Sequence, residues 1–222
     1  MKRVPEPELM DEPEQAEAYA NADFEEPHSR IIEWFDAEFP GIRIKGSILD
    51  LGCGPGDVTF RFGRRFPEAT ITAVDGSAAM IGLANERRVR ERAVADRIEF
   101  VKGLIPGAPI PRIPYDLIVS TSLLHHLHQP EVLWLTVAEY AASGTRIFVV
   151  DLFRPESRVQ AQELVSRYAA GEPEVLQRDF YNSLLAAFAP EEIAAQLVSV
   201  GLSELSIKCV SDRHLIVFGE KR

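Results

Sequence analysis

Three glycines alternate along the segment ILDLGCGPGD, which runs from Ile48 to Asp57. Gly52, Gly54 and Gly56 follow directly on an apolar run, a pattern typical of a turn where the backbone bends sharply or a ligand approaches closely. Asp75 ends a second apolar run, 21 residues after Gly54. A carboxylate at that place accepts hydrogen bonds from the hydroxyls of a ribose. The spacing therefore predicts a nucleoside site.

The third glycine position indicates which nucleoside the turn accepts. A dinucleotide site requires G-x-G-x-x-G, whose last glycine lets the helix pack close to a pyrophosphate. Asp57 occupies that position here and would direct a negative charge at the phosphates. A phosphate-binding G-x-x-x-x-G-K-[ST] loop is also absent. The sequence favours a nucleoside without phosphates.

The segment HHLHQP supplies a second set of chemically active side chains. Histidine exchanges a proton near cellular pH, so His125 and His126 are candidates for a catalytic base. The alternative, that they only shape the loop, stays open. No metal ion is predicted, because neither a cysteine pattern nor a partner carboxylate accompanies these histidines in the sequence.

Short apolar runs alternate with helical stretches and would position these groups. Five runs rich in Val, Ile and Leu predict strands covered on both faces: GSILDLG, ATITAVDG, RIEFVKG, YDLIVSTS and TRIFVVDL. The last two runs, SELSIKCV and RHLIVFG, are joined by a short polar link and predict a hairpin with an antiparallel final strand. We therefore expect an α/β fold with a doubly wound, seven-stranded and mostly parallel sheet.

Helices are expected before and within this sheet. Residues 1–40 predict an N-terminal helical cap, with a capping box at Asp11 and Glu14 opening its first helix. Residues 41–222 would form the ligand-binding domain, with a helical insertion over about 156–188.

Composition and charge restrict the classes of partner. Residues 1–40 hold 12 acidic and 3 basic residues, and the remainder is nearly neutral, so no basic stripe exists for a nucleic acid. No apolar run is long enough for a membrane span. With only two cysteines, a cytoplasmic domain the size of an enzyme is expected. The oligomeric state is left open.

LDLGCGPGD, AVDGS, YDLIVSTSLLHHL and the closing hairpin together resemble the class I S-adenosylmethionine-dependent methyltransferases. The resemblance implies the cofactor S-adenosylmethionine (SAM), methyl transfer to a small molecule by in-line displacement, and a fold similar to the Rossmann fold. It places the methionine end at the glycine turn, the ribose at Asp75 and the adenine near Ser77 and Met80. The implied cofactor residues are Asp50, Gly52, Cys53, Gly54, Gly56, Asp75, Gly76, Ser77, Met80, Gly103, Leu104 and Ser120.

Three residues outside those motifs are candidates for substrate contacts. Asp151 ends the fifth strand, Tyr181 lies in the helical insertion, and Tyr19 lies in the cap. Two other functions remain as alternatives. One is a nicotinamide-dependent oxidoreductase, which the glycine spacing disfavours. The other is a non-catalytic nucleoside-binding subunit, which would be expected to lack the glycines or Asp75.

Overall fold

A computed structural model describes all residues from 1 to 222, and its centre is one seven-stranded sheet. The strand order is β3-β2-β1-β4-β5-β7-β6, and only β7 runs antiparallel to its neighbours. This confirms the predicted doubly wound sheet and its closing hairpin. The strands are β1 (Ser47–Leu51), β2 (Thr70–Asp75), β3 (Ile98–Lys102), β4 (Leu117–Thr121), β5 (Arg146–Leu152), β6 (Ser206–Cys209) and β7 (His214–Glu220).

Eight α-helices accompany the sheet, and none combines the length and apolar character that a membrane span needs. The predicted insertion over 156–188 contains two of them, α6 and α7. The helices are α1 (Pro13–Asn21), α2 (Glu25–Glu38), α3 (Asp57–Arg65), α4 (Ala78–Arg88), α5 (Glu131–Tyr140), α6 (Arg158–Tyr168), α7 (Glu174–Ala186) and α8 (Pro190–Ser199).

Successive residues of each central strand enter two different apolar cores. In β5, Phe148 packs into a core with α2 and α3, whereas Val149 packs into a core with α5 and α8. This alternation places a helical layer on each face of the sheet. Both faces are therefore buried, which explains why the strands are continuous apolar runs.

Helix α2 forms part of one of these layers. Its fully buried Phe35 makes edge-to-face contacts with Phe62 of α3 and Phe148 of β5, at ring-centroid distances of 5.4 and 5.3 Å. Such aromatic pairs add to the stability that buried area alone provides. The second helix of the predicted cap therefore packs directly on the sheet, with Phe35 in the apolar core.

The predicted capping box at the start of α1 was wrong. The helix begins at Pro13, and its N-cap, Glu12, makes no side-chain capping bond. Proline suits the first turn because the missing N–H has no partner there in any helix. The Asp11 carboxylate instead accepts a hydrogen bond from Ser77 Oγ at 2.9 Å, which ties the N-terminal segment to the start of α4.

Two glycines of the turn after β1 are required by packing. A Cβ atom on Gly56 would lie 2.9 Å from Phe100 Cζ, and one on Gly52 would lie 2.8 Å from Leu123 Cβ. Both distances are shorter than carbon atoms tolerate. Gly54 differs, because no atom lies within 4 Å of its Cβ position.

We expect Gly56→Ala to lower the free energy of unfolding more than Gly54→Ala. Both positions have positive φ, 81° and 52°, so each alanine incurs a backbone cost of about 1–2 kcal/mol. Only the alanine at 56 also overpacks the core, for roughly 1–3 kcal/mol more. Urea denaturation of both variants measures the difference, and equal losses would contradict this account of Gly56.

Candidate active site

A cavity of about 900 Å³ opens at the carboxyl ends of β1, β2 and β4. This is the edge at which ligands bind in open α/β sheets. The structure brings most of the predicted site residues to its wall. They are Tyr19, Gly52, Cys53, Gly54, Asp75, Gly76, Ser77, Met80, Gly103, Leu104, His125 and His126.

Gly54 and Asp75 face each other across the turn after β1. Asp75 Oδ2 accepts a hydrogen bond from Gly54 N at 2.8 Å, and Oδ1 accepts one from Ser77 N at 2.8 Å. Burial raises the pKa of Asp75, and the two N–H donors oppose that rise. The carboxylate therefore fixes the glycine turn to the start of α4 while it lines the cavity.

The wall beyond Asp75 is apolar. Leu9 and Leu104 both approach Gly76, and their side chains lie within 2.9 Å of the Cβ position that Gly76 leaves free. Met80 and Ile105 line the same region. No carboxylate follows β3 here, so a planar ring bound between these side chains would be held mainly by apolar contact.

Three of the predicted cofactor residues do not line the cavity. Gly56 packs on Phe100, as described above. Ser120 is buried within the sheet, and its Oγ donates to the Leu51 carbonyl oxygen at 2.7 Å. Asp50 is also buried, and its Oδ2 accepts a hydrogen bond from Thr59 Oγ1 at 2.6 Å.

The residues that follow Ser120 reach the cavity instead. Thr121 and Ser122 line it, and Ser122 has a positive φ of 55°, which is uncommon for a residue with a side chain. Backbone strain of this kind often occurs at functional sites. Sequence reasoning missed both residues because the last residue of a strand is difficult to locate from composition.

Cys53 and Tyr19 line the cavity as neutral groups. Burial raises the pKa of the Cys53 thiol well above its usual value, with the nearby carboxylates of Asp50 and Asp75 acting in the same direction. Burial likewise raises the pKa of Tyr19 to about 12. Neither group is ionised near neutral pH, so the Cys53 thiol is not activated as a nucleophile.

Asp151 lies behind His125 and not on the cavity wall. Its Oδ1 is 2.6 Å from His125 Nδ1, and its Oδ2 accepts from Leu124 N at 2.8 Å. Arg154, three residues further along the chain, pairs with Glu192 and not with Asp151. Burial opposes protonation of His125, but the Asp151 carboxylate outweighs it and raises the pKa. The structure therefore gives Asp151 a positioning contact with His125 in place of a direct substrate contact.

Tyr181 lies in the helical insertion, as expected, but its side chain is not part of the cavity wall. It packs against the apolar cluster formed by α6 and α7 and does not line the cavity, whereas its neighbour Phe180 does. The aromatic pair was detectable in the sequence, but the orientation of α7 decides which ring faces the cavity.

Residues 1–12, which precede α1 and are called the N-terminal arm below, lie across the loop that carries the histidines. Arg3 donates hydrogen bonds to the carbonyl oxygens of His125 and Leu127 at 2.8 and 2.9 Å. Glu6 Oε1 accepts from Ser183 Oγ at 3.0 Å and lies 3.2 Å from His126 Nδ1. Sequence reasoning missed Glu6, because no local pattern relates it to histidines 119 residues away.

His126 carries an unusual ring nitrogen. Its Nδ1 is buried and has no hydrogen-bond partner, although Glu6 Oε1 lies 3.2 Å away. Burial, together with the neighbouring His125, lowers the pKa of His126 to about 3. Burial also raises the pKa of Glu6, while the charge of His125 opposes that shift.

Comparison with known proteins supports the fold and the motifs. A family model described as a methyltransferase domain matches residues 48–142. An uncharacterized methyltransferase of Mycobacterium bovis is 27% identical over 152 residues, which cover 68% of this chain and 74% of that protein. An uncharacterized protein of a Synechococcus strain is 39% identical over 123 residues, which cover 54% of this chain and only 29% of that protein.

A solved structure extends the likeness to nearly the whole chain. The plantazolicin methyltransferase BpumL, solved with a pentazolic desmethylPZN analogue and S-adenosylhomocysteine (SAH), superposes with a TM-score of 0.68 at 17% identity. The superposition covers 94% of this chain and 90% of that one. Residues 48–142 are thus similar to the methyltransferase-domain family, and the chain as a whole shares the fold of this solved methyltransferase.

We expect Asp75→Ala to weaken binding of SAH by about 1.5–3 kcal/mol, the range for hydrogen bonds to a charged group. This corresponds to a loss of affinity of roughly 10- to 150-fold. The variant should fold, because Asp75 is the last residue of β2. Isothermal titration with SAH measures the loss, and unchanged affinity in a folded variant would remove Asp75 from the ribose site.

The buried Asp50 should make stability depend on pH. Burial raises its pKa to about 7 against the hydrogen bond from Thr59, from an ordinary value of 3.8. The folded state therefore favours the protonated form, and this stability is complete below pH 3.8 and lost as the pH rises through 7. Asp50→Asn, which removes the titration, should gain stability relative to the unsubstituted protein between pH 4 and pH 8. A difference that stays constant over this range in urea denaturation would contradict the assignment.

Proposed function

We propose that this protein transfers the methyl group of SAM to a small-molecule acceptor bound beneath the N-terminal arm, α1 and α7. The observation that carries the proposal is the single cavity that contains the glycine turn, Asp75 and both histidines. The fold alone would also suit a nicotinamide enzyme, but Asp57 replaces the glycine that a pyrophosphate requires.

The residues present fit the cofactor at its ribose and at its glycine turn. Gly54 leaves open space where other residues carry Cβ, so a ligand can approach the backbone there. The Asp75 carboxylate is the expected acceptor for the ribose hydroxyls. Leu9, Met80 and Leu104 are suited to enclose the adenine ring, since all three line the wall next to Asp75.

The acceptor is expected to be largely apolar or aromatic. Tyr19, Phe24, Trp34, Leu176 and Phe180 line the remainder of the cavity, and Tyr19 and Phe24 lie 4.9 Å apart between ring centroids. Aromatic walls favour flat or apolar ligands. The cavity volume of about 900 Å³ lies at the upper end of the range of small-molecule sites.

Methyl transfer places few chemical demands on the protein. The bond from the acceptor to the methyl carbon forms as the sulfur–carbon bond breaks, and sulfur keeps the electron pair as SAH leaves. Orientation of the two reactants supplies about 7–11 kcal/mol in favourable cases. A hydroxyl or ammonium acceptor must also lose a proton, and His125 and His126 are the groups we assign to that part of the cavity.

The proposal is tested first by binding. Titration with SAH should show binding, and titration with NAD under the same conditions should show none. Binding of NAD without SAH would overturn the assignment in favour of the oxidoreductase. A screen of apolar hydroxyl and amine compounds for SAM-dependent formation of SAH then identifies the acceptor.

With an acceptor identified, His125→Asn should lower kcat by about 10²–10⁴-fold, the usual contribution of a group that handles a proton. The affinity for SAH should stay within twofold, because His125 is assigned to the acceptor and not to the cofactor. His128→Gln is the matched control, since this half-exposed histidine lies on the same loop. Equal kcat values for the two variants would contradict a role for His125 in the reaction.

A further inference from the structure

We propose that Glu6, His125 and His126 form a binding site for a divalent transition-metal ion, for which zinc is the best-fitting common ion. The carboxylate oxygen and the two imidazole nitrogens lie within 4.8 Å of one another. Two histidines and one glutamate are a ligand set that zinc uses in catalytic sites.

The spacing of the ligand atoms agrees with tetrahedral zinc. Glu6 Oε1 lies 3.2 Å from His126 Nδ1 and 3.6 Å from His125 Nε2. Zinc bonds of 2.0–2.2 Å at tetrahedral angles separate neighbouring ligand atoms by about 3.3 Å. These two distances are therefore close to what one bound ion requires, and the two imidazole nitrogens lie within 4.8 Å of each other.

Asp151 orients one of the ligands, as carboxylates do behind many metal-binding histidines. Its Oδ1 lies 2.6 Å from His125 Nδ1, and this nitrogen is the natural donor to an ionised carboxylate. Such a hydrogen bond leaves the lone pair of His125 on Nε2, the atom that faces Glu6. Arg3 fixes the same loop to the N-terminal arm through the His125 carbonyl oxygen.

A proton on His125 alone does not satisfy this cluster. If His125 is protonated, it donates to Asp151 through Nδ1 and directs Nε2–H at Glu6. The Nδ1 atom of His126 is then still buried without a hydrogen-bond partner. Unpartnered buried polar atoms are costly and uncommon. A cation bound by all three side chains satisfies His126 as well.

This inference rests on the proposed function and assigns the metal ion a place in it. His125 and His126 line the cavity, so an ion with three protein ligands has its fourth position available to the acceptor. With the ion bound, His125 and His126 would act as its ligands in place of taking the proton themselves. A zinc ion would lower the pKa of an oxygen that it binds, so that a hydroxyl acceptor could release its proton to water in the cavity. The acceptor class that this site selects is therefore a hydroxyl compound.

The test is titration calorimetry with zinc chloride on the whole chain, after a chelator has removed any bound metal. We expect one equivalent to bind, with at least tenfold weaker binding in Glu6→Gln and in His126→Gln. Asp151→Asn should weaken binding by about 10- to 100-fold, the usual effect of a residue that orients a ligand. Cobalt(II) should give the visible absorption of a tetrahedral complex, lost in the same variants.

Two controls separate this site from other causes. Glu12→Gln removes an exposed carboxylate from the same N-terminal arm and should leave zinc affinity unchanged. SAH affinity, measured for every variant, should stay within twofold and reports on the proposed function independently of zinc. Zinc affinity that Glu6→Gln and His126→Gln do not change, or that Glu12→Gln reduces equally, overturns the metal site. An unsubstituted protein that does not bind SAH would instead overturn the methyltransferase assignment.

Discussion

Buried carboxylates at the ends of the parallel strands determine how the loops of this site are arranged. A carboxylate removed from water must receive hydrogen bonds, or it becomes protonated. Asp75 receives its bonds from Gly54 N and Ser77 N, and Asp151 from Leu124 N and the His125 ring. Each carboxylate thereby fixes a loop that follows a neighbouring strand. The hydrogen bonds to these two carboxylates therefore set the positions of the loops that form the cavity wall.

The N-terminal arm, which lies outside the sheet, also places a carboxylate against the loop that carries the histidines. Residues 1–40 carry nearly all of the net negative charge, but Glu6 lies against His125 and His126 and is largely removed from solvent. Arg3 adds hydrogen bonds to the histidine loop and stacks on Phe188, 3.9 Å from the ring centroid. At least one acidic residue of this region therefore has a specific structural role, because the Glu6 carboxylate completes the polar cluster with His125 and His126.

Periodicity and turn composition predicted the sheet, its hairpin and the position of the glycine turn, because these depend on residues close in sequence. The distinction among the three glycines was not predictable, since it depends on Phe100 of β3 and on Leu123 of the loop after β4. The same reason explains Asp151, whose partner is His125 and not Arg154, three residues along the chain. Phe180 and Tyr181 show a further limit of the sequence. Apolar and polar residues are mixed along α7, so only tertiary packing decides which of the two rings faces the cavity.

Asp57 shows how one residue of the turn serves both the fold and the choice of ligand. Its carboxylate contacts His28 and Arg61 at 2.7 and 2.8 Å, so it fastens α2 to α3. Burial opposes its ionisation, but the hydrogen bonds from His28 and Arg61 prevail and lower the pKa. A permanently charged carboxylate thus stands where a dinucleotide site needs a glycine. Replacing it to admit a pyrophosphate would also break the contact with His28 that links α2 to α3, so the packing of these helices and the preference for a nucleoside without phosphates are coupled.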